Sequence, residues 1–125
     1  MNSPQRRLLV VDDEQAIRES LVLGLSDYGW DVTEASTSHS ALEFDTPFDA
    51  YLIDLSLPDQ DGFELSRLLG KRFGGVPIVL LTGYLNPKIQ EEAKDHNISV
   101  VMKKPFKFEE LDRVLKGLCD YRRPN

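Results

Sequence analysis

Apolar and polar positions along this chain switch repeatedly between two spacings. Leu8, Leu9, Val10 and Val11 form a short apolar run that stops abruptly at Asp12 and Asp13, as expected of a buried strand. Ile17, Leu21, Leu25 and Tyr28 then recur at helical spacing until Gly29, and Trp30 to Ala35 reads as a second short strand. A weaker helix is predicted from Thr37 to Phe44. Asp45, Thr46 and Pro47 break it ahead of Ala50, Tyr51, Leu52 and Ile53, a third strand ending at Asp54. Pro58 with Asp61 and Gly62 marks a turn. Leu65, Leu68 and Leu69 give the next helix an apolar face, which Gly74 and Gly75 close. Val76 to Leu81 is a fourth strand ending at Thr82, Pro87 to Asp95 a mostly polar helix, and Ile98 to Met102 a fifth strand followed by Lys103 and Lys104. Phe108, Leu111, Leu115 and Leu118 trace a final amphipathic helix, and Arg122, Arg123 and Pro124 read as a frayed end or the start of a linker.

Five apolar strands, each followed by a helical pattern, call for a parallel sheet with helices on both faces, joined by right-handed crossovers. The predicted fold class is therefore α/β: a doubly wound, five-stranded parallel sheet with five helices in three layers. Residues 1–120 are expected to form one domain and 121–125 a tail. The length of 125 residues and 41% hydrophobic content suit a single core.

Charge narrows the partners. A net charge of −6 leaves no basic excess with which to displace counterions from nucleic acid, so direct nucleic-acid binding is not expected; a protein partner or a cation is. The single cysteine, Cys119, cannot form an internal disulfide. No secretory or transit segment is recognised and no apolar stretch is long enough to span a bilayer, so a cytoplasmic setting is expected.

In doubly wound sheets the ligand crevice lies beyond the carboxyl ends of the strands. Those ends supply Asp12 with Asp13, then Asp54, Thr82 and Lys104, all directed to one rim. Adjacent carboxylates repel, and a hard divalent cation held by oxygen donors and water resolves that conflict. Mg²⁺ in turn works mostly on phosphates, for which Lys104 offers a charge and Thr82 a hydroxyl donor. The set describes phosphoryl transfer to a carboxylate.

These residues resemble the landmarks of response-regulator receiver domains, the CheY-like superfamily of two-component signalling, over nearly the whole chain. The acid pair Asp12 and Asp13, the strand-end Asp54, Pro58 with Asp61 and Gly62, Thr82 with Gly83, and Lys104 with Pro105 and Phe106 occur in the family's order. The resemblance implies that Asp54 is the phosphoacceptor, taking its phosphoryl group from a histidine kinase or a phosphotransfer protein. It implies that Mg²⁺ (or Mn²⁺) is held by Asp13, Asp54 and the backbone carbonyl of Ser56, with Asp12 acting through water. Thr82 and Lys104 would stabilise the transferring group, and Gly62 and Pro105 would be structural, the Lys104–Pro105 peptide being cis. A downstream effector domain or protein, and a phosphorylation-dependent homodimer, are the implied readouts. The domain would be a signalling phosphoacceptor that assists its own phosphorylation and dephosphorylation, rather than an enzyme acting on a separate substrate.

The chain departs from the family at Val101, where an aromatic switch residue is common, and at Asn97, where glycine often ends the fourth helix and asparagine is tolerated because it visits the left-handed conformation at lower cost than most residues. Thr82, Gly83, Tyr84 and Val101 form the expected switch region, and Ser56 and Tyr84 flank the acceptor. Lys103 is expected at the surface, pointing away from Lys104. His39 and His96 are also expected at the surface, Trp30 and Phe44 against the sheet, and Cys119 as a half-buried hydrophobe. Alternative readings are a haloacid-dehalogenase-like phosphoaspartate phosphatase, a receiver that no longer signals, and a flavodoxin-like nucleotide binder. The first lacks its pair of aspartates spaced two apart, and the last lacks a glycine-rich first turn.

Overall fold

The computed structural model describes residues 5–122. Its elements run β1 (Arg6–Val11), α1 (Gln15–Ser26), β2 (Trp30–Ala35), α2 (Ser38–Leu42), β3 (Ala50–Asp54), α3 (Gly62–Phe73), β4 (Ile78–Thr82), α4 (Pro87–Lys94), β5 (Val100–Lys103) and α5 (Phe108–Arg122). All strand pairs are parallel, and the sheet order is β2-β1-β3-β4-β5.

Side-chain alternation along the strands divides the interior into two layers. Leu9, Val11, Tyr51, Ile53, Ile78 and Leu80 face one way, packing with Ala41 of α2, Phe63, Leu65 and Leu69 of α3, and Ala93 of α4. Leu8, Val10, Ala50, Leu52, Val79, Leu81 and Met102 face the other way, against Leu21 and Leu25 of α1 and Leu111 and Leu115 of α5. The central strands are therefore apolar on both faces along residues 8–11, 50–53 and 78–81, as a sheet covered on both faces demands. Trp30 is buried in the second layer, its indole N–H donating to Asp112 Oδ1 at 2.8 Å. Phe44 packs at the edge of the first layer, edge-on to Phe48. Among the described residues no helix is long and apolar enough to cross a membrane.

Several boundaries differ from the sequence pattern for identifiable reasons. Strand β1 begins earlier, at Arg6, because Arg6 and Arg7 pair with Trp30 and Asp31 although their side chains are polar. Helix α2 is only five residues long: Thr37 is its N-cap, in a capping box with Ser40, and the helix stops before Glu43. Val76 lies outside β4 because its N–H turns back to the Gly74 carbonyl at 2.8 Å, and Pro77 has no N–H to give. Strand β5 starts two residues later than Ile98 and extends to Lys103, opposite Thr82. Asn97 does adopt the left-handed conformation, with φ 65°. His96 is half-buried rather than a surface residue: its ring lies tilted 5.1 Å from that of Phe63. His39 and Lys103 are exposed, and Cys119 is half-buried. Helix α5 continues through Arg122; Arg123 and Pro124 lie outside the described residues.

The chain turns tightly between β3 and α3. The Gly62 N–H donates to the Leu55 carbonyl at 2.7 Å, and Asp61 caps α3 by accepting from the Glu64 N–H at 2.9 Å. A Cβ at position 62 would sit 2.6 Å from the Asp54 carbonyl oxygen and 2.8 Å from Leu80 Cδ1. Gly62→Ala should therefore destabilise the domain by about 1–3 kcal/mol, overriding any gain in helix propensity. Urea unfolding checks this, and a midpoint equal to that of wild type would show that the turn yields without cost.

Candidate functional site

β1 and β3 are neighbours in the sheet, yet their following connections leave to opposite faces, α1 to one and α3 to the other. A crevice opens where they diverge. Asp12 follows the last residue of β1 and Asp54 is the last residue of β3, so the topology places both on its floor. Asp13 lies at its rim and is exposed. One carboxylate oxygen from each of Asp12, Asp13 and Asp54 fits within a mutual distance of 4.8 Å.

Lys104, just past β5, reaches across this rim. Its Nζ lies 2.7 Å from Asp54 Oδ1 and 3.4 Å from Asp12 Oδ2. Its backbone N–H donates to the Thr82 carbonyl at 2.8 Å, which fixes β5 against β4 at the site, and the Lys104–Pro105 peptide is cis as expected. Thr82 is buried at the end of β4. Its hydroxyl is engaged locally, accepting from the Tyr84 N–H at 3.1 Å and donating to the Tyr84 carbonyl at 3.2 Å. The Tyr84 side chain is 72% exposed and Val101 is half-buried on β5. Ser56 lies in the β3–α3 connection two residues beyond Asp54.

One ammonium against three carboxylates leaves the crevice acid-rich. Burial pushes the Asp54 carboxyl above its ordinary range; the Lys104 hydrogen bond and charge oppose that rise, and the charges of Asp12 and Asp13 add to it. Burial pulls the Lys104 ammonium down, but the bond to Asp54 and the charges of Asp12 and Asp54 outweigh it and leave it above its usual value. An oxygen-only donor set of this kind, with one member 1% exposed and another 7% exposed, suits a small hard divalent cation.

Two supports of the site were not visible from its own motifs. Arg18, on α1, donates from Nη1 to the Asp12 carbonyl at 2.7 Å and from Nε to Glu34 Oε1 at 3.1 Å. Asp59, in the connection after Asp54, accepts at its two oxygens from the Ser38 and His39 N–H groups that open α2, at 3.0 and 2.9 Å. These bonds, that of His39 foremost, hold its carboxyl below the usual range. The sequence pattern does not single out Asp59, because its partners lie some twenty residues away, where no local spacing connects them.

This chain belongs to the response-regulator receiver domain family, whose model matches residues 8–116, and it is accordingly a receiver domain of two-component signalling. It is 34% identical over 122 residues to the response regulator MprA of Mycobacterium leprae, covering 95% of this chain and 53% of that protein. With the protein of the same name from Mycobacterium ulcerans it shares 38% over 115 residues, 90% of this chain and 49% of that one. The chain thus spans about half the length of the curated relatives it matches. Among solved structures, a CheY-like response regulator receiver domain protein from Methanospirillum hungatei superposes with a TM-score of 0.88 at 28% identity, over 94% of this chain and 95% of that one.

The raised Asp54 carboxyl has a consequence for stability without metal. Below the unfolded-state value of about 3.9 both states are protonated and no penalty exists; as pH rises through the higher folded-state value, ionisation costs the folded state stability. Lys104 stays charged across this range, so it adds no slope there. Asp54→Asn should therefore stabilise the metal-free protein near neutral pH, with the gain vanishing below about pH 4. Urea titrations in chelator at the two pH values test the sign, and a variant weaker than wild type near neutrality would mean that the Lys104 bond outweighs burial.

Proposed function

We propose that Asp54 accepts a phosphoryl group from the phosphohistidine of a histidine kinase or phosphotransfer protein, with Mg²⁺ (or Mn²⁺) held by Asp13, Asp54 and the Ser56 backbone carbonyl, and by Asp12 through water. The observation that carries this reading is the Lys104 Nζ at 2.7 Å from Asp54 Oδ1, inside a cluster of three carboxylates at the sheet's switch point. An Asp54 oxygen bonds to phosphorus as the phosphorus–nitrogen bond to the donor imidazole breaks, leaving an acyl phosphate. Lys104 then passes from the Asp54 carboxylate to a phosphoryl oxygen, and Asp54, fixed at a strand end and largely withdrawn from water, needs little reorganisation to attack. A divalent ion at the acids would neutralise both their mutual repulsion and the charge of the incoming group.

Residues 1–120 constitute the phosphoacceptor unit on this reading, working in the cytoplasm. Its state would be read by a downstream effector domain or protein, or by phosphorylation-dependent homodimerisation. The domain assists its own phosphorylation and dephosphorylation and turns over no separate substrate.

Incubation with acetyl phosphate should add the mass of one phosphoryl group to wild type when Mg²⁺ is present and not in chelator. Intact-mass measurement reads this, and Asp54→Asn should show none; adduct at wild-type yield in that variant would mean another residue is the acceptor. The same ion should stabilise wild type by about 2.7 kcal/mol at a hundredfold excess over its dissociation constant. Asp13→Ala should lose most of that gain in thermal melts.

The switching step follows from Thr82. To bond a phosphoryl oxygen on Asp54, its hydroxyl must give up at least part of its double hydrogen bond with the Tyr84 backbone. Val101 is β-branched, with a stiff χ1 and no ring to swing, so motion should concentrate in the compliant segment from Thr82 through Gly83 and Tyr84 to Glu91. Amide chemical shifts with and without beryllofluoride should change most there. Thr82→Ala should quench those changes while still allowing phosphorylation; large shifts centred on β5 with the Thr82 segment silent would reverse the assignment.

A further inference from the structure

Asp12 differs from its neighbours in the site in how completely it is held. It is 1% exposed, and each of its polar atoms has a partner. Its N–H donates to the Ala35 carbonyl at 3.1 Å, its Oδ1 accepts from the Glu14 N–H at 2.9 Å, and its Oδ2 lies 3.4 Å from Lys104 Nζ. The remaining group, its carbonyl oxygen, accepts from Arg18 Nη1 at 2.7 Å. Arg18 is itself mostly withdrawn from water, its side chain 16% exposed, and its Nε is bound at 3.1 Å to Glu34, the penultimate residue of β2. The guanidinium therefore bridges three segments: helix α1, the turn after β1, and the end of β2.

We infer that Arg18 is a positioning residue for the acid site, clamping the Asp12 carbonyl to Glu34 so that the Asp12–Asp13 turn is held in the form that accepts a divalent cation. The inference rests on the metal reading proposed above. Its physical basis is the fork of the guanidinium, which donates in two directions from one plane and so fixes a carbonyl and a carboxylate relative to each other. Asp13 follows directly on the clamped carbonyl, and among the described residues its own side chain has no such support, being exposed at the rim. Whatever fixes the Asp12 peptide thus decides where the Asp13 carboxylate starts.

Charge and position predict opposite signs, which makes the role testable. As a bare positive charge beside three carboxylates, Arg18 would compete with a cation, and removing it would tighten Mg²⁺ binding. As a clamp it lowers the cost of assembling the donors, and removing it weakens binding. Supports behind metal ligands are commonly worth tenfold or more in affinity.

Calorimetric titration of Mg²⁺ into wild type, Arg18→Met and Arg18→Lys separates the two. Met keeps an apolar stem without the charge, and Lys keeps the charge but cannot bridge both acceptors. The dissociation constant should rise about tenfold in Arg18→Met and by an intermediate factor in Arg18→Lys. In the metal-free variants the Glu14 amide, which donates to Asp12 Oδ1, should exchange its hydrogen faster than in wild type. Equal or tighter Mg²⁺ binding by Arg18→Met, even with a lowered melting temperature, overturns the inference while leaving the metal site intact. Should Arg18→Met fail to fold, Arg18→Lys decides, and wild-type affinity there overturns it equally. A wild type that binds no Mg²⁺ removes the metal reading and this inference with it.

Discussion

Repulsion among Asp12, Asp13 and Asp54 is the constraint around which the rest of this domain is arranged. Like charges at such distances in a partly buried crevice cannot all persist unless cations face them. Lys104 supplies one positive charge, bound at 2.7 Å to Asp54, and the deficit that remains is an electrostatic demand for another. On the proposed reading, an acid-rich crevice gives up some stability in the free protein and would recover it on binding a cation, the trade expected where function and folding share the same residues.

The fold meets that demand with parts that are otherwise ordinary. Apolar residues on both faces of β1, β3 and β4 fix the strands rigidly, and their carboxyl ends deliver functional groups with no freedom left in the backbone. Gly62 lets α3 approach the Asp54 carbonyl, where a single methyl group would intrude. Arg18 with Glu34 on one side and Asp59 with the first turn of α2 on the other tie down the two connections that carry Asp12 and follow Asp54. The Thr82 segment is secured differently. Among the described residues its hydroxyl bonds only to Tyr84, two positions along, so on the proposed reading a competing oxygen on Asp54 would release it without disturbing the core. On the proposed reading, the tied connections near the acids and the releasable one beside Thr82 would divide binding from signalling within one rim.

The sequence alone determined the element order, the two-faced sheet and the strand ends at which Asp12, Asp13, Asp54, Thr82 and Lys104 appear. Those follow from local periodicity and from the chain rules of parallel sheets, which act over a few residues or one crossover. It marked Asn97 as able to take a left-handed turn, for the same local reason. Tertiary structure decided what depends on partners distant along the chain. Arg6 and Arg7 became strand because Trp30 and Asp31 lie beside them, and His96 became half-buried because Phe63 offers it a ring. The engaged state of the Thr82 hydroxyl, the reach of Lys104 to Asp54 and Asp12, and the supports from Arg18 and Asp59 likewise arise only in the folded chain. Periodicity places a residue on a face, but hydrogen-bond direction and charge balance are fixed only when segments from opposite ends of the chain arrive at one crevice.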